Sequence, residues 1–183
     1  LDRSVRRTLS KRTTDCAGGA VLAASALWVQ GREPLLLDLK TTQHDFDHVL
    51  ALFKEGKYWG AISKTNHGVL RYREPIYISV RELTMSYFHE YFLGNVASRQ
   101  ARGKKTLRSF SRPFNLSQYG TTWLTDKETL IDIMADLDDS PHVKILSPQQ
   151  IKRLRKADAI EIKTGEITEN KPTMSRCYLD NFL

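Results

Sequence analysis

The sequence predicts an α+β fold, in which a cysteine-bearing N-terminal helix packs on a mostly antiparallel sheet and additional helices follow in the C-terminal part. Three observations predict it. An apolar run over residues 16–30 starts directly after capping residues, as buried helices do. Two apolar runs, over residues 48–53 and 58–63, flank a turn that contains Gly56, which is typical of an antiparallel hairpin. Helix-capping signals then recur beyond residue 78, so later elements are expected to include several helices.

The composition is that of a globular protein. The 183 residues suffice for one compact domain or a domain with an appendage, and 40% of them are hydrophobic while 27% are charged. No apolar run approaches the ~20 residues of a membrane span, so no membrane association is expected. The two cysteines, Cys16 and Cys177, are too few for a disulfide framework, and a reducing cytoplasm is the simplest setting for them.

The net charge of +7 raises the question of a nucleic-acid partner. The basic residues are spread over residues 3–12, 99–112 and 152–156, and aromatic residues do not alternate with them as a stacking surface would require. Solvated basic faces are therefore the preferred interpretation, and no nucleic-acid partner is expected.

In the N-terminal half, helices are predicted over residues 2–12 and 16–30, and Gly31 is the expected stop of the second. A turn is expected at residues 74–75, where a proline follows a glutamate. Strands are predicted over residues 34–39, 48–53, 58–63 and 69–72.

The C-terminal half begins with a predicted helix over residues 79–92, because Ser79 can cap it and Glu82 stands three residues later, as in a capping box. Residues 94–113 are polar and basic, and they are predicted to form a mobile loop that ends in a short strand at residues 106–110. The remaining predicted elements are a helix over residues 127–137, a strand over 143–146, a helix opening at Ser147-Pro148 and running to 157, and a strand over 159–163.

Cys16 is the first candidate catalytic residue. It follows the capping residues Thr13, Thr14 and Asp15 and is predicted to lie in the first turn of its helix. Unpaired N–H groups and a partial positive charge at a helix start favour a thiolate. The small residues after Cys16 are expected to keep it open to a substrate. A buried structural cysteine is the alternative, because free cysteines are among the most buried residue types.

A reactive thiol needs a nearby base, and His48, at the start of a predicted strand, is the leading candidate. His67, in the loop after the third strand, is its main rival. The other histidines compete less well, namely His44, His89 and His142.

A third side chain should orient the imidazole. Asn66 and Ser63 stand at the end of the third predicted strand and are the candidates for this role. Three aspartates close in sequence remain open as alternatives, namely Asp38, Asp45 and Asp47.

A zinc site would have to gather Cys16, His44, His48 and His67. His44 and His48 are four residues apart, but their segment is predicted as loop and strand, where that spacing does not bring two side chains together as a helix would. Neither a metal ion nor a cofactor is therefore expected.

The order of these elements resembles the transglutaminase-like superfamily of papain-like cysteine enzymes, in an uncharacterised bacterial subgroup. The matching stretch runs from Asp15-Cys16 to Asn66 and includes the strand that starts at His48 and the sequence Gly56-Lys57-Tyr58-Trp59. Members of the family usually carry an acid a few residues after that tryptophan. In this sequence Ser63 holds the place.

The resemblance implies a catalytic core over residues 1–125 and a C-terminal α/β extension over residues 126–183 that packs on it. It also implies thiol acyl transfer on peptide or protein amides, in which Cys16 attacks the carbonyl carbon and His48 protonates the leaving amine.

Ser63 or Asn66 would orient the histidine in such a site, and Trp59 and His67 would contact the substrate. A protease, a deamidase and a transglutaminase all fit this chemistry. The alternative is a catalytically degenerate module that binds an acidic protein or a nucleic acid.

Overall fold

The computed structural model describes residues 3–94, 96, 98–126 and 130–170. Within these residues the fold is α+β, as the sequence predicts. The strands are β1 Leu35–Lys40, β2 His48–Glu55, β3 Tyr58–Ile62, β4 Arg73–Tyr77, β5 Ser109–Ser111, β6 Phe114–Asn115 and β7 His142–Lys144. The helices are α1 Val5–Lys11, α2 Cys16–Val29, α3 Val80–Phe88, α4 Thr122–Thr125, α5 Ile131–Asp139, α6 Pro148–Arg153 and α7 Ala159–Gly165.

The strands form one sheet in the order β4-β3-β2-β1-β5-β7, with β6 also paired to β1. All of the described strand pairs are antiparallel, which confirms the predicted sheet type. The predicted hairpin is β2–β3, and Gly56 in its turn has a positive φ of 58°, a conformation that glycine adopts without strain.

The central strands separate two apolar layers because their side chains alternate between the faces of the sheet. On one face, Leu36, Ala51 and Phe53 pack with Ala20 and Val21 of α2. On the other face, the remaining leucines of β1 and β2 pack with α3; the shared cluster includes Leu35, Leu37, Leu39, Leu50, Leu52, Leu83, Tyr87 and Phe88.

Helix α2 matches its predicted bounds closely. It ends at Val29, and Gly31 just beyond has a positive φ of 80°, as expected of a glycine that stops a helix. None of the described helices combines the length and apolar character needed to cross a membrane.

The segment after residue 126 shares the core of the preceding part. Strand β7 pairs with β5, and Ile145 next to it belongs to the apolar cluster on the α3 face. Ile133 and Leu137 of α5 belong to the cluster on the α2 face. Helix α5 starts at Ile131, after α4 and after residues 127–129, which lie outside the described residues.

Two predictions around residues 69–75 are wrong. The turn expected at residues 74–75 is part of β4, and the strand expected at residues 69–72 is replaced by a 3-10 turn over Gly68–Leu70. Pro75 lacks the N–H that a central strand needs, but β4 lies at the edge of the sheet, where this donor is dispensable.

The predicted strand over residues 159–163 is also wrong, because this segment is helix α7. Asp158 caps it, and Glu161 completes a capping box with the backbone of Asp158. The alternation of Ile160 and Ile162 suggested a strand, yet Ile160 is 67% exposed and only Ile162 is buried. The capping residues therefore decided the local structure over a short alternating pattern.

The predicted mobile loop after residue 94 contains buried and bonded residues. Lys105 and Thr106 are almost fully buried, and Phe92 forms a β-bridge with Lys105. The ammonium group of Lys105 donates to the backbone carbonyl of His89 and lies 4.9 Å from the centre of the Phe92 ring. These contacts hold the segment against the end of α3.

Candidate active site

Cys16 occupies the first position of α2, as predicted. The backbone N–H of Gly18 donates to Oδ1 of Asp15 at 3.0 Å, which fixes the start of the helix. The Cys16 side chain is half-buried and forms no disulfide.

The first turn of α2 is covered by neighbouring side chains, so the expectation that small residues keep it open is wrong. A Cβ on Gly19 would lie 2.3 Å from Cβ of Lys64, and one on Gly18 would lie 2.1 Å from Oγ1 of Thr14. These glycines are therefore required by close packing, and the aliphatic stem of Lys64 lies across the helix start.

The sulfur of Cys16 accepts a hydrogen bond from the backbone N–H of Val49, the residue after His48. Strand pairing explains why this amide is available. Val49 faces Asp38 on β1, whose own N–H donates to Oγ of Ser111 at 2.9 Å. Asp38 and Val49 therefore form a non-hydrogen-bonded pair, and the Val49 amide points to the side of β3.

The described ladder between β2 and β3 ends at the Ala51–Ile62 pair, two residues before this amide comes into register. The thiol thus lies where β2 and β3 separate, at the end of the hairpin that carries His48 and Ser63.

Burial raises the pKa of the Cys16 thiol above its ordinary value, and the charge of Asp15 acts in the same direction. The amides of Val49, Ala17 and Cys16 itself lower this pKa, but they do not outweigh burial. The thiol is therefore protonated at neutral pH, in contrast to the thiolate expected from the helix start alone.

His48 is the first residue of β2 and is only 7% exposed. Its Nε2 lies 2.6 Å from Oγ of Ser63, so Nδ1 is the ring nitrogen that this contact does not occupy. Burial, together with the charges of His67 and Lys64, lowers the pKa of His48 to about 4. The imidazole is therefore neutral at pH 7 and can accept a proton.

Ser63 thus makes the contact expected of the orienting residue, whereas Asn66 does not. The side-chain amide of Asn66 donates to the backbone carbonyl of Asn170 at 2.8 Å, and its oxygen accepts from the N–H of Asn170, also at 2.8 Å. The prediction for Asn66 is wrong because this residue ties its loop to the segment before residue 171.

The three aspartates left open have partners other than His48. Asp38 lies 3.1 Å from Nε2 of His142, Asp45 accepts from the hydroxyl of Thr106 at 2.5 Å, and Asp47 accepts from the backbone N–H of Thr41 at 2.7 Å.

Trp59 lies far from the cysteine. It pairs with Lys54 on β2, six residues from His48, which corresponds to about 20 Å at the rise of a strand. Its ring is covered by the ammonium group of Lys54 at 4.2 Å. The expected contact of Trp59 with a substrate at Cys16 is therefore wrong for this geometry.

His67 lies closer to the site. Its charge lowers the pKa of His48, and its Nδ1 contacts the carbonyl oxygen of Gly165 at 2.9 Å. It lines a cavity of about 540 Å³, whose wall also includes Asp45 and Tyr91. The charge of Cys16 in turn raises the pKa of Tyr91, so the cavity borders the candidate site.

A different set of residues from the zinc ligands considered above could approach a metal ion. Carboxylate oxygens of Asp38, Asp47 and Asp138 lie within 4.8 Å of one another. In the described part of the chain, these three residues are the group of possible metal ligands with this spacing. Nζ of Lys40 is 2.8 Å from Asp138, and His142 contacts Asp38. Asp138 therefore already has the cation of Lys40 as a neighbour, and Asp38 has His142 as a polar partner.

The sequence did not single out the Val49 amide, Lys64 or Tyr91 as parts of a common region. The sheet register places the Val49 amide, the loop after β3 places Lys64, and the end of α3 places Tyr91; no local pattern marks such placement. No model of a known protein family matches this chain, and no curated protein is significantly similar to it in sequence.

Proposed function

We propose that the protein is a cysteine-dependent acyl-transfer enzyme of the transglutaminase-like type that acts on peptide or protein amides. Cys16 is the nucleophile, His48 the general base and acid, and Ser63 the positioning residue for His48. The observation that carries the proposal is the contact between the thiol and the amide of Val49, the residue that follows the buried, neutral His48, whose Nε2 contacts Ser63.

The protonation states favour general-base activation over a preformed ion pair. The thiol has a raised pKa and His48 a lowered one, so both groups are neutral at pH 7. In the first step the thiol proton passes to His48 while the sulfur bonds to the amide carbon. The carbon–nitrogen bond then breaks, and His48 returns the proton to the leaving amine.

The resulting thioester on Cys16 is resolved by water or by an amine, which loses a proton to His48 as it attacks. Water gives a carboxylic acid, and an amine gives a new amide; either step restores the thiol. The backbone N–H of Cys16 at the helix start supports the carbonyl oxygen as its charge develops. We place this chemistry in the cytoplasm, where the thiol stays reduced.

Acylation by p-nitrophenyl acetate tests the proposal. We expect a burst of p-nitrophenol that matches one acetyl group on Cys16, located by mass spectrometry of the digested protein. His48→Ala should slow the burst by about 10²-fold or more because the base is lost. His89→Ala is the matched control, because His89 is exposed and stacks edge-on against Phe88.

Acetylation without a dependence on His48, or acetylation only at other residues, contradicts the proposal. Cys16→Ala serves as the second arm, and it must abolish the burst.

A degenerate binding module is the second candidate, favoured by the raised pKa of the thiol and by a serine at the place of the family's acid. It predicts that Cys16→Ala retains the protein's full biological effect, whereas the enzyme proposal predicts its loss.

A further inference from the structure

The cavity lined by His67 and Tyr91 has a mainly apolar wall, and the carboxylate of Asp45 differs from the other carboxylates of that wall. Val69, Leu70, Tyr91 and Phe92 supply apolar surface, and Asp45 contributes its carboxylate. Its volume of about 540 Å³ lies within the range of small-ligand sites and accommodates a long side chain with room to spare.

Two other carboxylates of the wall are already neutralised by arginines. Glu90 pairs with Arg73 at 2.8 Å, and Glu166 pairs with Arg102 at 2.9 Å. Asp45 differs, because its side chain accepts hydrogen bonds from the Thr106 hydroxyl and the Phe46 N–H. Among the described residues, no lysine or arginine forms an ion pair with it.

Burial of this carboxylate raises the pKa of Asp45, and neither its two hydrogen bonds nor the charge of His67 outweighs that effect. A ligand that supplies a positive charge at this point would stabilise the ionised form. The aliphatic stem of such a ligand would cover the apolar wall, in the way that long basic side chains bury their methylene groups and keep the charged end on a polar partner.

We propose that this cavity is a substrate subsite for a positively charged side chain, lysine-like or arginine-like, on the peptide that reacts at Cys16. The methylene stem packs on Leu70 and Phe92, and the charged end pairs with Asp45. This inference rests on the proposed function, and it identifies the substrate class of the same site.

The position of the cavity supports this assignment. Asp45 and His67 line it, and they stand three residues before His48 and four residues after Ser63, so the cavity lies at the end of the hairpin where these two side chains meet. In this proposal, the side chain held at Asp45 belongs to the peptide that reacts at Cys16.

Direct binding of short peptides tests the subsite without requiring catalysis. Three fluorescein-labelled, capped pentapeptides of alanine differ only in the central residue, which is lysine, norleucine or glutamate. Fluorescence anisotropy with Cys16→Ala protein should give a dissociation constant about fivefold lower for lysine than for norleucine, and the weakest binding for glutamate.

Asp45→Asn should remove the preference for lysine over norleucine. Two controls separate this effect from others. Asp136→Asn removes the same charge from the exposed face of α5 and should retain the preference. Thr106→Val removes the hydrogen bond to Asp45 but keeps the charge of Asp45.

Equal affinities for the three peptides, or a lysine preference that persists in Asp45→Asn, overturn the subsite. Failure of the enzyme proposal gives a different pattern. In that case p-nitrophenyl acetate does not acylate Cys16, whatever the peptides do.

Discussion

At the scale of single residues, the candidate site combines a protonated thiol with a neutral imidazole. Burial drives both pKa values in the directions that disfavour charge, upward for Cys16 and downward for His48. Ser63 contributes a hydroxyl at 2.6 Å from His48, where a carboxylate would instead stabilise the imidazolium. The serine is therefore one reason why the pair stays neutral.

This reasoning predicts the effect of Ser63→Asp. An aspartate at this place should raise the pKa of His48 by roughly 1 to 3 pH units, because it lies beside Nε2. NMR titration of the His48 ring measures this change. The same variant should allow Cys16 to react with iodoacetamide at lower pH than the wild type, in which burial raises the pKa of the thiol.

Ser63→Ala is the control, since it removes the hydroxyl without adding charge. An unchanged titration of His48 in Ser63→Asp would mean that the carboxyl group itself stays protonated or that the serine contact does not persist in solution.

At the scale of elements, the first turn of α2 packs closely against the residues that follow β3. Lys64 comes directly after Ser63, and its stem occupies the space beside Gly19. The same loop brings Lys64 close enough to His48 to lower its pKa. The side chain of Lys64 therefore contacts the first turn of α2 and also influences His48.

Gly19→Ala tests this coupling. Alanine has the higher helix propensity, by about 1 kcal/mol, but its Cβ would lie 2.3 Å and 2.6 Å from Cβ and Cγ of Lys64. We expect a net loss in the free energy of unfolding of about 1–3 kcal/mol, measured by urea denaturation.

The double variant with Lys64→Gly should recover most of this loss, because glycine removes both clashing carbons. Additive effects of the two substitutions would show that Lys64 does not pack on the first turn. Gly68→Ala is the comparison substitution, because a Cβ at Gly68 has no heavy atom within 4 Å.

At the scale of the whole molecule, acidification changes the stability of the fold in opposite directions through two buried groups, His48 and Asp38. The unfolded chain protonates His48 near pH 6.5, but the folded protein does so only at about 4, so acidification between these values favours unfolding. Asp38 is protonated at about 6 in the folded protein and near 3.8 in the unfolded chain, so acidification between these values favours the fold. Between about pH 4 and 6 the two effects oppose each other.

Asp38→Asn should therefore expose the contribution of His48. Relative to the wild type, the free energy of unfolding of this variant should fall by about 1.4 kcal/mol for each pH unit of acidification between roughly pH 6 and 4. Urea denaturation of both proteins across this range gives the difference directly.

His48→Gln should show the opposite slope relative to the wild type, because it removes the group that destabilises the fold on acidification. Parallel pH profiles for the wild type and both variants would contradict the assignment of these protons.

Much of the architecture follows from local sequence signals. The capping residues before Cys16, the stop at Gly31 and the turn at Gly56 each act within a few residues, and they place α2 and the β2–β3 hairpin correctly. The same kind of signal also sets α7, where the Asp158 capping box outweighs the alternation of two isoleucines that predicts a strand.

By itself, the sequence determined the α+β class, the position of Cys16 at a helix start and the strand that carries His48. Only the tertiary structure decided that Ser63 contacts His48 while Asn66 binds Asn170, 104 residues away. It also decided the charge state of the thiol and the placement of Asp45 in the cavity. Hydrogen bonds within one helical turn or hairpin are encoded by neighbouring residues, whereas burial and long-range partners depend on how the sheet and its loops assemble.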